Sequence, residues 1–154
     1  MFLTPGSRAR GQRPGLFLPR SQAREKISAA RILYVNGGGS DDGDGSESAP
    51  LKTIARAIAA AVSLDSFLYD VTIDIANGTW TESLTLPRFL GSGRIILLGD
   101  PTTPSNVTLS VTSNHCLNLT GGLWKARGIK FTTTTSGRGV YGEGYGSIIE
   151  LDAC

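Results

Sequence analysis

The chain has 154 residues and a mass of 16.2 kDa, enough for one domain with little left for a second. With 40% hydrophobic and 18% charged residues it can bury a core, which excludes wholesale disorder; two cysteines exclude a disulfide-dense miniprotein and an all-cysteine zinc site, and no apolar run approaches the roughly 18 residues of a membrane span. The formal charge of +2 is unevenly placed: residues 1–31 carry seven basic side chains against the single acid Glu25, whereas the remaining 123 carry eight basic and twelve acidic groups.

The first element is therefore an extended basic arm, residues 1–31, attached to a mildly acidic body, residues 32–154. Pro5, Pro14 and Pro19, with Gly6, Gly11 and Gly15, disfavour a helix or a central strand in the arm. Leu16-Phe17-Leu18 is far too short for the apolar core of a secretory signal. An apolar triplet among arginines suits a protein groove better than a phosphate backbone. The arm is accordingly read as a partner-docking segment through Arg8, Arg10, Arg13, Leu16, Phe17, Leu18 and Arg20, with an unengaged tail as the plain alternative and nucleic acid behind both.

The body opens with the β-prone run Ile32-Leu33-Tyr34-Val35, followed by three glycines and the polar stretch Ser40–Ser48. The Asp-x-Asp spacing in that stretch invites a calcium reading. Counted from Asp42, however, Glu47 stands where an EF-hand needs glycine and Thr53 where it needs glutamate, so a solvated turn is expected. A helix is expected over 50–63. Pro50 fits a first turn, and Leu51, Ile54, Ile58 and Val62 form one apolar stripe. The alanines at 55, 57 and 59–61 let such a helix lie close to a surface.

From residue 71 onward the pattern is short strands and turns. One series starts at Val71, Arg94, Cys116 and Gly139, and a second at Glu82, Asn106, Ala126 and Ser147; the starts within each series are 20–24 residues apart. Two strands per repeat, broken by turns at matching phases, predict a solenoid rather than a β-sandwich. Val71/Ile73/Ile75, Leu84/Leu86, Val107/Leu109/Val111, Leu117/Leu119, Ile129/Phe131 and Ile149/Leu151 are the predicted inward stack. The helix, lying just before the first coil, is placed to cover one open end of that stack.

Residues 32–154 resemble the start of right-handed parallel β-helix proteins of the pectate-lyase-like superfamily. The resemblance rests on Tyr34-Val35, the Gly/Asp/Ser loop 37–48, and Pro50-Leu51-Lys52-Thr53-Ile54 leading into an alanine-rich helix. It implies an all-β, right-handed parallel β-helix with an N-terminal α-helical cap. That superfamily includes polysaccharide lyases and hydrolases, epimerases, and the tailspikes and tail fibres of bacteriophages. Joined to the basic arm, the resemblance implies a virion structural protein of a phage tail. Such a protein would be a homotrimer, docked by its arm on other tail or baseplate proteins and directed at host attachment. The rival readings are the first coils of a polysaccharide-degrading enzyme, otherwise extracellular, and a carbohydrate-binding module using Trp80, Trp124, Tyr141 and Tyr145.

No catalytic, metal or cofactor residue is assigned. Glycoside cleavage needs two carboxyl groups flanking one bond. The outward acids by alternation are Asp74, Glu82, Glu150 and Asp152, with Glu143 in a turn, and sequence alone pairs none of them. His115, the only histidine, has no nucleophile motif beside it and reads as a loop residue. Gly137-Arg138-Gly139-Val140-Tyr141-Gly142 matches a dinucleotide fingerprint literally but precedes a strand, not a helix. Cys116 and Cys154 fall on the predicted outward phase and read as free thiols. Asn77, Asn106 and Asn118 open glycosylation sequons that carry little weight without a secretory signal.

Overall fold

The computed structural model describes residues 24–143 and 146–154. The seven docking residues assigned in the arm, and Tyr145, lie outside the described residues. Among the described residues, eleven strands and one α-helix are formed in the order β1 (Arg31–Val35), α1 (Ile54–Ser63), β2 (Val71–Ile75), β3 (Gly78–Trp80), β4 (Leu84–Leu86), β5 (Ile95–Leu98), β6 (Val107–Val111), β7 (Leu117–Leu119), β8 (Gly122–Arg127), β9 (Lys130–Thr133), β10 (Val140–Gly142) and β11 (Ser147–Asp152).

Every strand pairing is parallel. The strands fall into three sheets, ordered β1-β2-β5-β8-β11, β3-β6-β9 and β4-β7-β10. Following the chain, β2, β3 and β4 visit each sheet once, then β5, β6 and β7 do so, then β8, β9 and β10. This is a parallel β-solenoid of about three turns, with three strands per coil. Sequence neighbours are not hairpin partners, which disposes of the sandwich alternative.

The two-strand repeat is thus corrected. The runs at Val71 and Arg94 share the five-stranded sheet, but those at Cys116 and Gly139 lie in the sheet of β4. The corners explain why the spacing misleads. From β2 onward, the links between consecutive strands range from two residues, as between β7 and β8, to eight, as between β5 and β6. A corner lies outside the packed stack, so its length is free to vary while strand register is held. In the five-stranded sheet Val71 faces Ile95, Ile95 faces Trp124 and Trp124 faces Ile149, steps of 24, 29 and 25 residues.

Alternation did identify the core. Residues 71–75 bury Val71, Ile73 and Ile75 while Thr72 and Asp74 stay half-buried, and β6 repeats the pattern with Val107, Leu109 and Val111. Leu33, Ile73, Leu97, Ala126 and Leu151 form one row across five strands. All are at most 3% exposed except Leu151, at 50% on the last strand, where no following strand covers it among the described residues. Phe131 and Ile149, also predicted inward, are partly buried against the same core. Trp124 occupies a place held by Val, Ile and Ile in the neighbouring strands. Its ring meets Phe89 edge-on at 5.7 Å, and its indole N–H donates to the carbonyl of Gly121 at 2.9 Å.

The helix begins later than the apolar stripe indicates. Pro50 and Leu51 stay extended: Leu51 bridges Val35, its N–H donating to Tyr34 O at 2.9 Å, and Thr53 is the N-cap. The face of α1 that is buried consists of Ile54, Ala57, Ile58 and Ala61, packed on β1, β2 and β4, with Val62 at its margin. The alanines on that face permit the close approach. Within residues 24–31, Ile27 is buried in the same core and Arg31 begins β1, so the end of the basic segment packs with the body.

Candidate functional site

Each outward acid can now be followed to its partners. Glu82, in the corner between β3 and β4, accepts from Ile54 N at 3.0 Å and from Ala55 N at 2.9 Å. Asp41 accepts from Lys52 N, from Thr53 N at 2.9 Å and from the Thr53 hydroxyl at 3.0 Å, while that hydroxyl accepts from Arg56 N at 3.2 Å. The two carboxylates and Thr53 therefore satisfy the free N–H groups that every helix leaves at its start, and they sit at the positive end of the helix dipole. Glu82 is a helix anchor. The Asp-rich loop works locally as well: Asp44 accepts from Ser46 N at 2.8 Å, and hydrogen bonding first from the Ser46 side chain and then from its N–H holds the Asp44 carboxyl below the ordinary value.

Glu150 and Asp152 belong to an ion-pair ladder on the outer face of the five-stranded sheet. Lys125 lies opposite Glu150 and Arg127 opposite Asp152 in the β8–β11 register. Lys125 Nζ is 2.9 Å from Glu150 and 3.7 Å from Asp152, Arg94 is 3.1 Å from Glu150, and Arg127 Nε is 3.1 Å from Asp152. The hydrogen bond and charge of Lys125, then the charge of Arg94, lower the Glu150 pKa. Glu143 accepts a 2.8 Å bond from the Tyr141 hydroxyl, which raises the phenol's pKa.

Asp74 is different. It projects from the outer face of β2 and has no hydrogen-bond or ion-pair partner among the described residues. It lines a cavity of about 140 Å³ with Tyr34, Val35, Asn36, Glu47, Pro50 and Ala76. Partial burial, and secondarily the charge of Glu47, push its pKa above the ordinary value of 3.8. Two carboxyl groups, one held toward its neutral form, share this cleft with a phenol and an amide. It is the one place among the described residues where two acids without a hydrogen-bond or ion-pair partner line the same cavity. Sequence alternation placed Asp74 outward but gave no sign that Glu47, in a loop 27 residues earlier, would face it.

Of the aromatic residues offered for carbohydrate stacking, Trp80 and Trp124 are corrected to core positions. Trp80 is 9% and Trp124 1% exposed; their indole N–H groups are used on Ala76 O and Gly121 O. Tyr141 is half-buried and stacks on His115 at 4.4 Å. His115 is a loop residue bonded through Nδ1 to Arg138 N at 3.0 Å. Cys116 is also corrected: it is buried rather than outward, and burial raises its thiol pKa, whereas Cys154 is exposed; both are free. Among the described residues no group of three or more His, Cys, Asp or Glu gathers as a metal site, and no helix is long and apolar enough to cross a membrane. No protein family, curated protein or solved structure matches the chain.

Proposed function

We propose that this chain is a structural component of a phage tail, a tail fibre or tailspike protein or its tail-proximal part. In this reading the solenoid is the stiff shaft, right-handed as parallel crossovers overwhelmingly are, and α1 closes its first end. The basic arm, through Arg8, Arg10, Arg13, Leu16, Phe17, Leu18 and Arg20, docks on tail or baseplate proteins. The particle-borne protein is a homotrimer working at the host surface, where polysaccharide is the expected contact.

The observation that carries this reading is the use of the side chains. The solenoid interior is a continuous apolar stack, and the outward acids other than Asp74 are spent on helix anchoring, on an ion-pair ladder or on Tyr141. Such a body suits load and length. The resemblance of residues 32–154 to the start of β-helix proteins, together with the net positive arm, points the same way.

Deleting residues 1–23 tests the docking role without touching Ile27 or β1. Loss of incorporation into tails, with the circular dichroism of the body unchanged, is the expected result; normal incorporation would refute it. Light scattering on the full chain should give three times the chain mass, and a stable monomer at micromolar concentration contradicts the trimer.

The second reading, the early coils of a polysaccharide-degrading enzyme, is favoured by the Asp74–Glu47 cleft alone. Reducing-end or unsaturated-product release from host-type polysaccharides, abolished by both Asp74→Asn and Glu47→Gln, would move the assignment there.

A further inference from the structure

At one corner of the solenoid, three segments meet. Lys26 bridges Asp65, and Asp65 bridges Leu90. Asp65 N donates to Glu25 O at 2.8 Å and Ser66 N to Leu90 O at 3.1 Å, while the buried Ser66 hydroxyl adds a 3.0 Å bond to the same carbonyl. Two glycines let the backbones touch. A Cβ at Gly91 would stand 2.3 Å from Ser66 Oγ, and one at Gly93 would stand 1.9 Å from Tyr69 O.

This tight corner holds Phe67 at φ +50°, a left-handed conformation that bulky side chains rarely adopt. The Phe67 N–H donates to Asp65 Oδ1 at 3.0 Å, and its carbonyl accepts from Ser92 N and Gly93 N. The strain does not serve burial. Phe67, Leu68 and Tyr69 are 43%, 67% and 38% exposed, and neighbouring Leu90 is 53% exposed. A turn needed only to reverse the chain would be better served by Gly or Asn. A strained residue and a cluster of exposed large apolar side chains in one place together mark an interaction site.

The charge around it is cationic. Lys26 Nζ lies 3.6 Å over the Phe67 ring, and Arg24 and Arg88 line a cavity of about 280 Å³ with Phe89 and Leu90. Glu25 is paired with Arg31 at 2.9 Å, whereas Asp65 and Asp70 keep their charge while accepting from Phe67 N and from Arg94 N at 2.8 Å, so three cations stand against two carboxylates and the corner is cationic by one charge.

We infer that this corner is a docking surface for a protein segment that presents apolar side chains flanked by Asp or Glu. The apolar residues would meet Phe67, Leu68 and Leu90, and the carboxylates would meet Arg24, Lys26 and Arg88. An anionic membrane fits less well. Three cations fall short of the four to eight that recruit a protein to such a surface, and Asp65 and Asp70 stand among them. The inference deepens the docking role proposed above and rests on it for the partner's setting.

The test uses the full chain and three probes: a fluorescent peptide alternating Glu with Leu and Phe, its Lys-for-Glu counterpart, and phosphatidylserine-containing vesicles. The acidic peptide should bind at least tenfold more tightly than the basic one and weaken with salt. A Leu68→Ser/Leu90→Ser variant should lose at least tenfold in affinity with its melting temperature unchanged. Phe67→Asn should lose affinity while keeping or raising the melting temperature, because Asn accepts the left-handed conformation. Equal binding of both peptides, binding of neither, a preference for vesicles, or a fall in melting temperature for Phe67→Asn would each overturn the inference. Tail incorporation of the Leu68→Ser/Leu90→Ser variant separates the two proposals. Intact incorporation despite lost peptide binding removes this surface and leaves the tail role. Peptide binding by a chain that never enters tails removes the tail role and leaves the surface.

Discussion

Asp74 is the residue whose environment makes the sharpest demand. Its pKa is raised by burial, so the folded chain keeps this proton to higher pH than the unfolded chain does. Stability should therefore fall as pH rises from the ordinary value of 3.8 through the raised one, and stay at that lower level above it. Asp74→Asn removes the dependence. It should be more stable than the parent chain at pH 7, and the difference should vanish below about pH 3, where both side chains are neutral. Denaturant melts at the two pH values check this, and an Asn variant no more stable at pH 7 contradicts it. The two thiols make a second demand. Cys154 should react with a thiol reagent within minutes in the native chain and Cys116 only on unfolding, so counting labelled sulfurs with and without denaturant should give one and then two. Two rapid labels in the native state would place Cys116 elsewhere. At this scale the sequence showed types and alternation but not partners. Cys116 was misjudged because it lies one residue before β7, in a corner where strict alternation no longer runs. Glu82 looked like a surface acid because its two donors lie 27 and 28 residues earlier.

Helix α1 is held at its start by side chains from three places in the sequence. Thr53→Ala should cost about 1 kcal/mol, the usual loss for an N-cap hydroxyl. Glu82→Ala should destabilise in the same direction, and the double variant should fall short of the sum, because both act on one helix terminus. Urea titrations of the two single variants and the double variant would show it; a neutral Glu82→Ala would mean the anchor is idle. The sequence carried a legible signal for this cap, a threonine ahead of the apolar run. Pro50 overshadowed it, and the helix was placed four residues too early. Strands fared better. β2, β6 and β7 lie where alternation puts them, because each is one coil edge with one buried face. The coil itself was only half legible. Three-residue strands such as β3 are too short to show a period, so the sheet they form with β6 and β9 went unseen and three strands per coil were counted as two.

At the scale of the molecule, each coil touches only its neighbours, so stability is a sum of coil terms and interfaces between coils. Leu97 sits in the middle of a row that runs from Leu33 to Leu151, with strands on both sides. Leu97→Ala should cost about 2–5 kcal/mol in a urea melt, whereas Leu151→Ala, half-exposed on the last strand, should cost far less. Equal losses would mean that the row is not stacked as described. The tail assignment, the enzyme alternative and the docking corner all presuppose this stacking. The most direct test is a set of NOE contacts in the amide and Hα region of the labelled chain. Parallel coils ~4.8 Å apart predict Hα-to-amide contacts linking β2 to β5, β5 to β8 and β8 to β11, in the register Val71–Ile95–Trp124–Ile149, and no ladder between β2 and β3. Close Hα–Hα pairs between strands adjacent in sequence, the mark of antiparallel hairpins, would contradict the solenoid.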